Sequence, residues 1–180
     1  MKTLQTPIPG VLILEPRVFS DDRGFFFESF NKSTMAEARI VDEFVQDNHS
    51  FSSRHVLRGL HYQIRHPQGK LVRALGGEVL DVVVDLRHSS AAYGQWYGVS
   101  LSGENKRMLW IPIGLAHGFV VFSESAHVLY KTTDFYDPTS ERTILWNDPD
   151  LGIDWQLQDS PIVSAKDRSG ISFAAAEKFD

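Results

Sequence analysis

Apolar runs in this chain are short. Gly, Pro, Asn or Asp interrupts them about every 8–12 residues, a rhythm that suits strands and turns and excludes long helices. Strands are expected over 11–18, 25–30, 45–51, 56–62, 70–75, 79–86, 96–101, 108–111, 117–122, 128–136 and 143–146. In the stretch from Glu78 to Leu86, one parity reads Leu80, Val82, Val84, Leu86 and faces a core. The other alternates Val79 and Val83 with Asp81 and Asp85, the pattern of a half-wet face. One helix is expected where Asn31 can cap the good helix formers Met35 to Ile40, and the weakly patterned tail 169–180 has room for a short second one. Many strands with one or two short peripheral helices predict an all-β jelly-roll barrel. With no repeat, linker or low-complexity tract, residues 1–180 read as one domain.

Composition narrows the function classes. A net charge of −5 without a Lys/Arg cluster argues against nucleic acid as the main partner, though a few local cations suffice for a phosphorylated small molecule. No apolar run approaches the roughly 20 residues of a membrane helix, and the N-terminus shows no signal-peptide core. The absence of cysteine removes disulfides and thiolate chemistry and fits a cytoplasmic protein.

The 7 histidines raise the question of a metal. Pro112-x-Gly114-x-x-His117 resembles the second motif of the cupins, a jelly-roll superfamily. The first motif of metal-binding cupins reads His-x-His followed by Glu. Here His61 is followed at that spacing by Gln63, and Pro67 and Gln68 stand where the Glu belongs. Two of the three expected ligands are missing, so the expectation is a cupin-like barrel without metal or cofactor.

His61 sits in Leu57-Arg58-Gly59-Leu60-His61-Tyr62-Gln63, with Lys70 beyond a turn. A lone strand histidine is more often a packing residue. Two long cations in an apolar, strand-rich region nevertheless call for an anionic partner, which a ligand phosphate would supply. Strict alternation puts Arg58 and His61 on opposite faces unless Gly59 marks a bulge. Tyr130 and Tyr136 share parity and offer either packing rings or a proton-donating phenol with a second ring as a wall. Asp167, beside Lys166, is either exposed surface or the carboxylate that orients a histidine. Arg23, in the turn Asp21-Asp22-Arg23-Gly24, suits a phosphate.

Together these segments resemble the dTDP-4-dehydrorhamnose 3,5-epimerase family. The resemblance rests on Asp22-Arg23-Gly24 with Phe26 and Glu28, Gln46-Asp47-Asn48, Arg58 to Gln63, Gln68 to Arg73, Pro112-x-Gly114-x-x-His117-Gly118-Phe119, Tyr130-Lys131 and Ser164-x-Lys166-Asp167, in that order over nearly the whole chain. It implies a metal-free jelly roll without cofactor, a homodimer with exchanged arms, and a dTDP-4-keto-6-deoxyhexose substrate. It further implies His61 as proton acceptor held by Asp167, Tyr130 as proton donor on the opposite face, and Lys70 near the keto oxygen. Arg58, His117 and Lys166 match contacts to the diphosphate and sugar. Arg23, Phe26, Glu28, Gln46, Asn48 and Glu141 match positions that hold the nucleotide, some from the neighbouring subunit, and Tyr136 is expected as a wall of the pocket. Three other readings share part of this pattern: a relative inverting only C3 or only C5, a sugar-nucleotide binder without catalysis, and a metal-dependent cupin.

Overall fold

The computed structural model describes residues 1–180. Its strands are β1 (Lys2–Gln5), β2 (Leu12–Glu15), β3 (Phe19–Asp21), β4 (Gly24–Phe26), β5 (Gln46–Ser53), β6 (Leu57–Gln63) and β7 (Lys70–Gly76). There follow β8 (Glu78–Asp85), β9 (Trp96–Ser102), β10 (Met108–Ile111), β11 (Leu115–Val121), β12 (Ser125–Thr132) and β13 (Glu141–Thr143). Two short helices, α1 (Lys32–Glu37) and α2 (Ala165–Arg168), lie outside the sheets. A six-stranded sheet, β1-β2-β10-β7-β12-β5, stacks on a five-stranded one, β13-β6-β11-β8-β9, and β3-β4 form a separate hairpin. This is the jelly roll that the strand rhythm predicts.

Alternation along each strand sorts side chains between layers. Val72, Leu109 and Val128 of the six-stranded sheet meet Val83, Leu115, Phe119 and Val121 of the five-stranded one in the central core. The outer face of the six-stranded sheet buries Leu12, Leu14, Leu71, Met108 and Trp110 against Met35 and Ile40. Helix α1 takes the expected cap, the Asn31 side chain accepting from the Ser33 and Thr34 backbone N–H groups, but it ends at Glu37, short of the expected Ile40, with Arg39 at φ +63.

β8 corrects the half-wet reading. Every residue of it except Glu78 is buried. Leu80, Val82, Val84 and Leu86 pack under the C-terminal segment with Leu151, Trp155 and Ala176, while Val79 and Val83 enter the central core. Asp81 and Asp85 are both 0% exposed, and each has partners: His117 for Asp81, Arg87 and Ser90 for Asp85. Asp81 reads as wet in the sequence because its partner comes from β11, and Asp85 because the turn that folds Arg87 and Ser90 back onto it carries no strand pattern.

Other differences are local. β12 stops at Thr132 instead of running to 136, with the Thr132 hydroxyl donating to Asp134 O. The strand expected over 143–146 is β13, at Glu141–Thr143. β1 and β3 add short strands where none was expected. The C-terminal helix lies at 165–168, while the tail beyond it is held by isolated bridges, Ile144 to Ile171 and Arg87 to Phe179.

One irregularity positions the site. His117 pairs with His61 and Phe119 with Arg58, so three steps of β6 span two of β11. The extra residue returns Arg58 to the face that carries His61, which strict alternation forbids. Only glycine fits at the bulge: Gly59 has φ +119, and a Cβ there would lie 2.6 Å from Gly118 Cα and 2.7 Å from His117 O.

Candidate active site

A cavity of about 240 Å³ opens between the two sheets. Arg58, His61, Gln63, His117 and Glu141 line it from the five-stranded sheet, and Gln46, Asn48, Lys70 and Tyr130 from the six-stranded one. Tyr136 reaches it from the loop after β12, not from the strand face it was expected to share with Tyr130.

His61 Nε2 lies 2.5 Å from Asp167 Oδ1. Asp167 is carried by α2, where the Ser164 hydroxyl donates to its Oδ2 at 2.8 Å and accepts from its backbone N–H. Burial pushes this carboxyl up. The hydrogen bond and charge of His61, with Ser164 and Lys166, outweigh that and hold it below the usual carboxylate range. An ionised carboxylate only accepts, so the imidazole proton sits on Nε2 and the basic lone pair on Nδ1.

Lys70 is buried, and its ammonium donates to His61 O at 3.4 Å. Burial drives its pKa down to about 8, while the charges of Asp81 and Glu141 pull the other way. Arg58 crosses between the sheets, its Nε donating to Ser52 Oγ at 3.0 Å. On the far wall, burial raises the phenol of Tyr130, opposed by Arg58 and reinforced by Glu141, so this side chain keeps its proton at neutral pH.

At the mouth, Glu141 joins two side chains. It lies 2.5 Å from Lys166 Nζ and accepts from Tyr136 Oη at 2.8 Å. Burial pushes its carboxyl up, and these two partners more than offset it, leaving a depressed pKa. Lys166 therefore stands at the rim beside Asp167.

Three of the expected site residues lie elsewhere in the chain's own fold. Arg23 is exposed on the β3-β4 hairpin and paired with Asp21, Phe26 beside it is 68% exposed, and Glu28 accepts from Asn31 Nδ2 at the start of α1. The hairpin is apolar for an exposed element, with Phe19 and Phe25 also more than half exposed.

Sequence reasoning missed Asp81, whose two carboxylate oxygens both stand 2.9 Å from His117 Nε2. The available signal was an acid inside an otherwise apolar strand, which requires a buried partner. It also missed the work of Gln63. At the position where metal-binding cupins place a ligand, its Nε2 donates to His66 O and Phe135 O and its Oε1 accepts from Asp137 N. No three His, Asp or Glu side chains converge in the manner a metal ion needs.

A jelly roll with a carboxylate-held imidazole on one wall and a phenol and ammonium on the other holds the groups that an acid–base isomerase needs. Comparison with known proteins identifies which. The dTDP-4-dehydrorhamnose 3,5-epimerase family profile matches residues 5–175, and the chain belongs to that family. The dTDP-4-dehydrorhamnose 3,5-epimerase of Pseudomonas aeruginosa is 63% identical over 180 residues, covering 99% of each chain. A solved dTDP-6-deoxy-D-glucose-3,5-epimerase of Legionella pneumophila, in complex with dTDP-4-keto-L-rhamnose, superposes with a TM-score of 0.95 at 50% identity, covering 98% of this chain and 94% of that one. More distant is a 3'-monoepimerase of Streptomyces bikiniensis in complex with dTDP-quinovose, with a TM-score of 0.88 at 32% identity, covering 94% of this chain and 86% of that one. No helix is long and apolar enough to cross a membrane.

Proposed function

We propose that this protein inverts C3 and C5 of dTDP-4-dehydro-6-deoxy-D-glucose, giving dTDP-4-dehydro-L-rhamnose for dTDP-L-rhamnose biosynthesis. One observation carries this reading: the Asp167-held His61 and the protonated phenol of Tyr130 face one cavity from opposite sheets.

A C4 ketone acidifies the hydrogens on C3 and C5, because the carbanion delocalises into an enolate. His61 Nδ1 takes the proton from one face of the ring, and Asp167 stabilises the imidazolium that forms. Tyr130 returns a proton from the other face, so the configuration inverts, and solvent then takes the proton from the imidazolium and restores that of the phenolate before the next abstraction. Positioned general acids and bases of this kind contribute about 10²–10⁴-fold each. Lys70, as an ammonium in a dry wall, neutralises the enolate oxygen. Arg58 and Lys166 are the cations for the diphosphate, and Lys166 changes partner from Glu141 to phosphate on binding. His117 contacts the sugar, Tyr136 walls it, and Gln46, Asn48 and Glu141 complete the nucleotide end. The chemistry calls for no metal or cofactor.

The assembly we propose is a cytoplasmic homodimer in which each copy, one jelly-roll domain, lends its β3-β4 hairpin to the other. That places Arg23, Phe26 and Glu28 on the partner's nucleotide and covers the exposed phenylalanines. Light scattering should give twice the chain mass, and Arg23→Ala should raise KM more than it lowers kcat.

The test of the reaction is incubation with the 4-keto-6-deoxyglucose nucleotide in deuterated water. The expected result is deuterium at C3 and at C5 with inversion at both. Exchange and inversion at one carbon alone would assign a monoepimerase. No exchange at either carbon removes the epimerase reading.

A further inference from the structure

Tyr136 is the one aromatic wall of the cavity whose place no strand dictates. β12 ends at Thr132, and the loop that follows carries Tyr136 back to the mouth. Its phenol donates to Glu141, but a side-chain bond alone leaves the loop backbone free to shift. Gln68 Nε2 and the Thr132 hydroxyl fix Asp134 O at the start of the loop, and two further glutamines hold the backbone at Tyr136 and its neighbours. Gln46 Oε1 accepts from the Tyr136 N–H at 3.1 Å. Gln63 holds the residues on both sides: Nε2 donates to Phe135 O at 3.2 Å, and Oε1 accepts from Asp137 N at 2.9 Å.

Gln63 is 4% exposed, and its other N–H donates to His66 O at 2.7 Å. Both N–H groups and the carbonyl of its amide are thereby used, so the amide has no freedom to flip. It sits two residues beyond His61 on β6, and it pairs in register with Glu141 of β13, the acceptor of the Tyr136 phenol. One strand therefore carries both the imidazole and the group that fixes the opposing ring's loop.

We infer that Gln63 is a positioning residue: by holding the backbone at 135 and 137 it sets where the Tyr136 ring stands against the sugar, in register with His61. This rests on the epimerase reading above. The polar side chain that stands at a metal-ligand position in related barrels is here committed to ring placement. Reacting groups displaced by about 1 Å can lose on the order of 10²-fold in rate, so even a partial release of the loop should be visible in turnover.

The experiment is a double-mutant cycle with Gln63→Leu and Tyr136→Ala. It is read by deuterium exchange into the 4-keto substrate and by the Kd of unreactive dTDP-D-glucose. With Tyr136 present, Gln63→Leu should lower kcat/KM about tenfold or more by loosening the ring. With Tyr136→Ala already made, the same change should cost less than about twofold, since no ring remains to be placed. Equal losses in both backgrounds overturn the inference, as does no loss in either.

Gln63→Glu gives an independent arm if the leucine variant folds poorly. Its carboxylate keeps the acceptor for Asp137 N and lacks the donors for Phe135 and His66. Activity relative to the parent should recover as the pH falls and the carboxyl regains a proton to donate. A flat ratio across pH contradicts ring placement by hydrogen bonding. Failure of the parent to exchange at all is a failure of the epimerase reading, whereas an additive cycle in an active parent rejects this inference alone.

Discussion

Two histidine–carboxylate pairs stand side by side on β6 and β11, and they differ where it matters. His61 is 29% exposed and meets one oxygen of Asp167, which arrives on a short helix near the rim. His117 is 9% exposed and meets both oxygens of Asp81, which is wholly buried on β8. The charge of Asp81 also acts on Lys70. Asp167 is likewise shared with the charge of Lys166, so what separates the pairs is exposure: the His61 ring keeps an open edge toward the cavity, whereas His117 is nearly enclosed. In the proposed mechanism the same pair of residue types gives a working base in one place and a fixed contact in the other.

Removing each histidine tests that distinction most strongly. His61→Ala should lower exchange by about 10²–10⁴-fold, the range for losing a positioned base. His117→Ala should cost markedly less in kcat and act mainly on KM. Equal losses in kcat erase the contrast.

Lys70 comes next. Lys70→Met should cost about 10²–10³-fold in kcat, as for loss of an oxyanion donor. The pH profile sharpens the assignment. With a pKa near 8, Lys70 is an ammonium below that value and an amine above it, so kcat/KM should fall as pH rises through about 8. Lys70→Arg keeps its charge and should move that limb upward. Stability runs the other way. The folded pKa lies below the ordinary 10.5, so this residue's contribution to stability improves as pH climbs from about 8 toward 10.5.

Both carboxylates are buried acceptors. Asp81→Asn disturbs the acceptor that His117 meets with both oxygens and should cost about 1–3 kcal/mol of stability, read as a lowered Tm. Asp167→Asn disturbs the acceptor shared by His61 and Ser164, so it should lower Tm by a similar amount and, in addition, reduce kcat. If Asp167→Asn lowers Tm and leaves kcat unchanged, the rim pair is structural.

The legibility of these features followed the range of the interactions behind them. Strand rhythm, the Asn31 cap and the cupin-like His117 motif are local, and all could be read in the chain. The partnership of His61 with Asp167 spans more than a hundred positions, and only the ordered family segments supplied it. Arg58 shows the limit of alternation. Its face depends on a bulge at Gly59, where the backbone of β11 lies too close for a Cβ, and no stretch of β6 reveals that approach. Asp81 read as wet for the same reason, since its imidazole lies on β11, whereas Asp85 is satisfied by Arg87 and Ser90 just past the end of its own strand and its burial was open to a local reading. Gln63 was noticed only as a missing metal ligand, because its three backbone partners are loop groups that carry no sequence signature.

The proposed reaction turns on abstraction and return of a proton by different walls of one cavity. The most direct measurement is the fate of substrate hydrogens in Tyr130→Phe in deuterated water, with exchange and inversion followed separately by NMR. If His61 abstracts and Tyr130 returns, deuterium should still enter at the activated carbons while inversion falls far below the parent. Inversion at the parental rate, or exchange lost together with inversion in a folded variant that still binds dTDP, would contradict the assignment of the two walls.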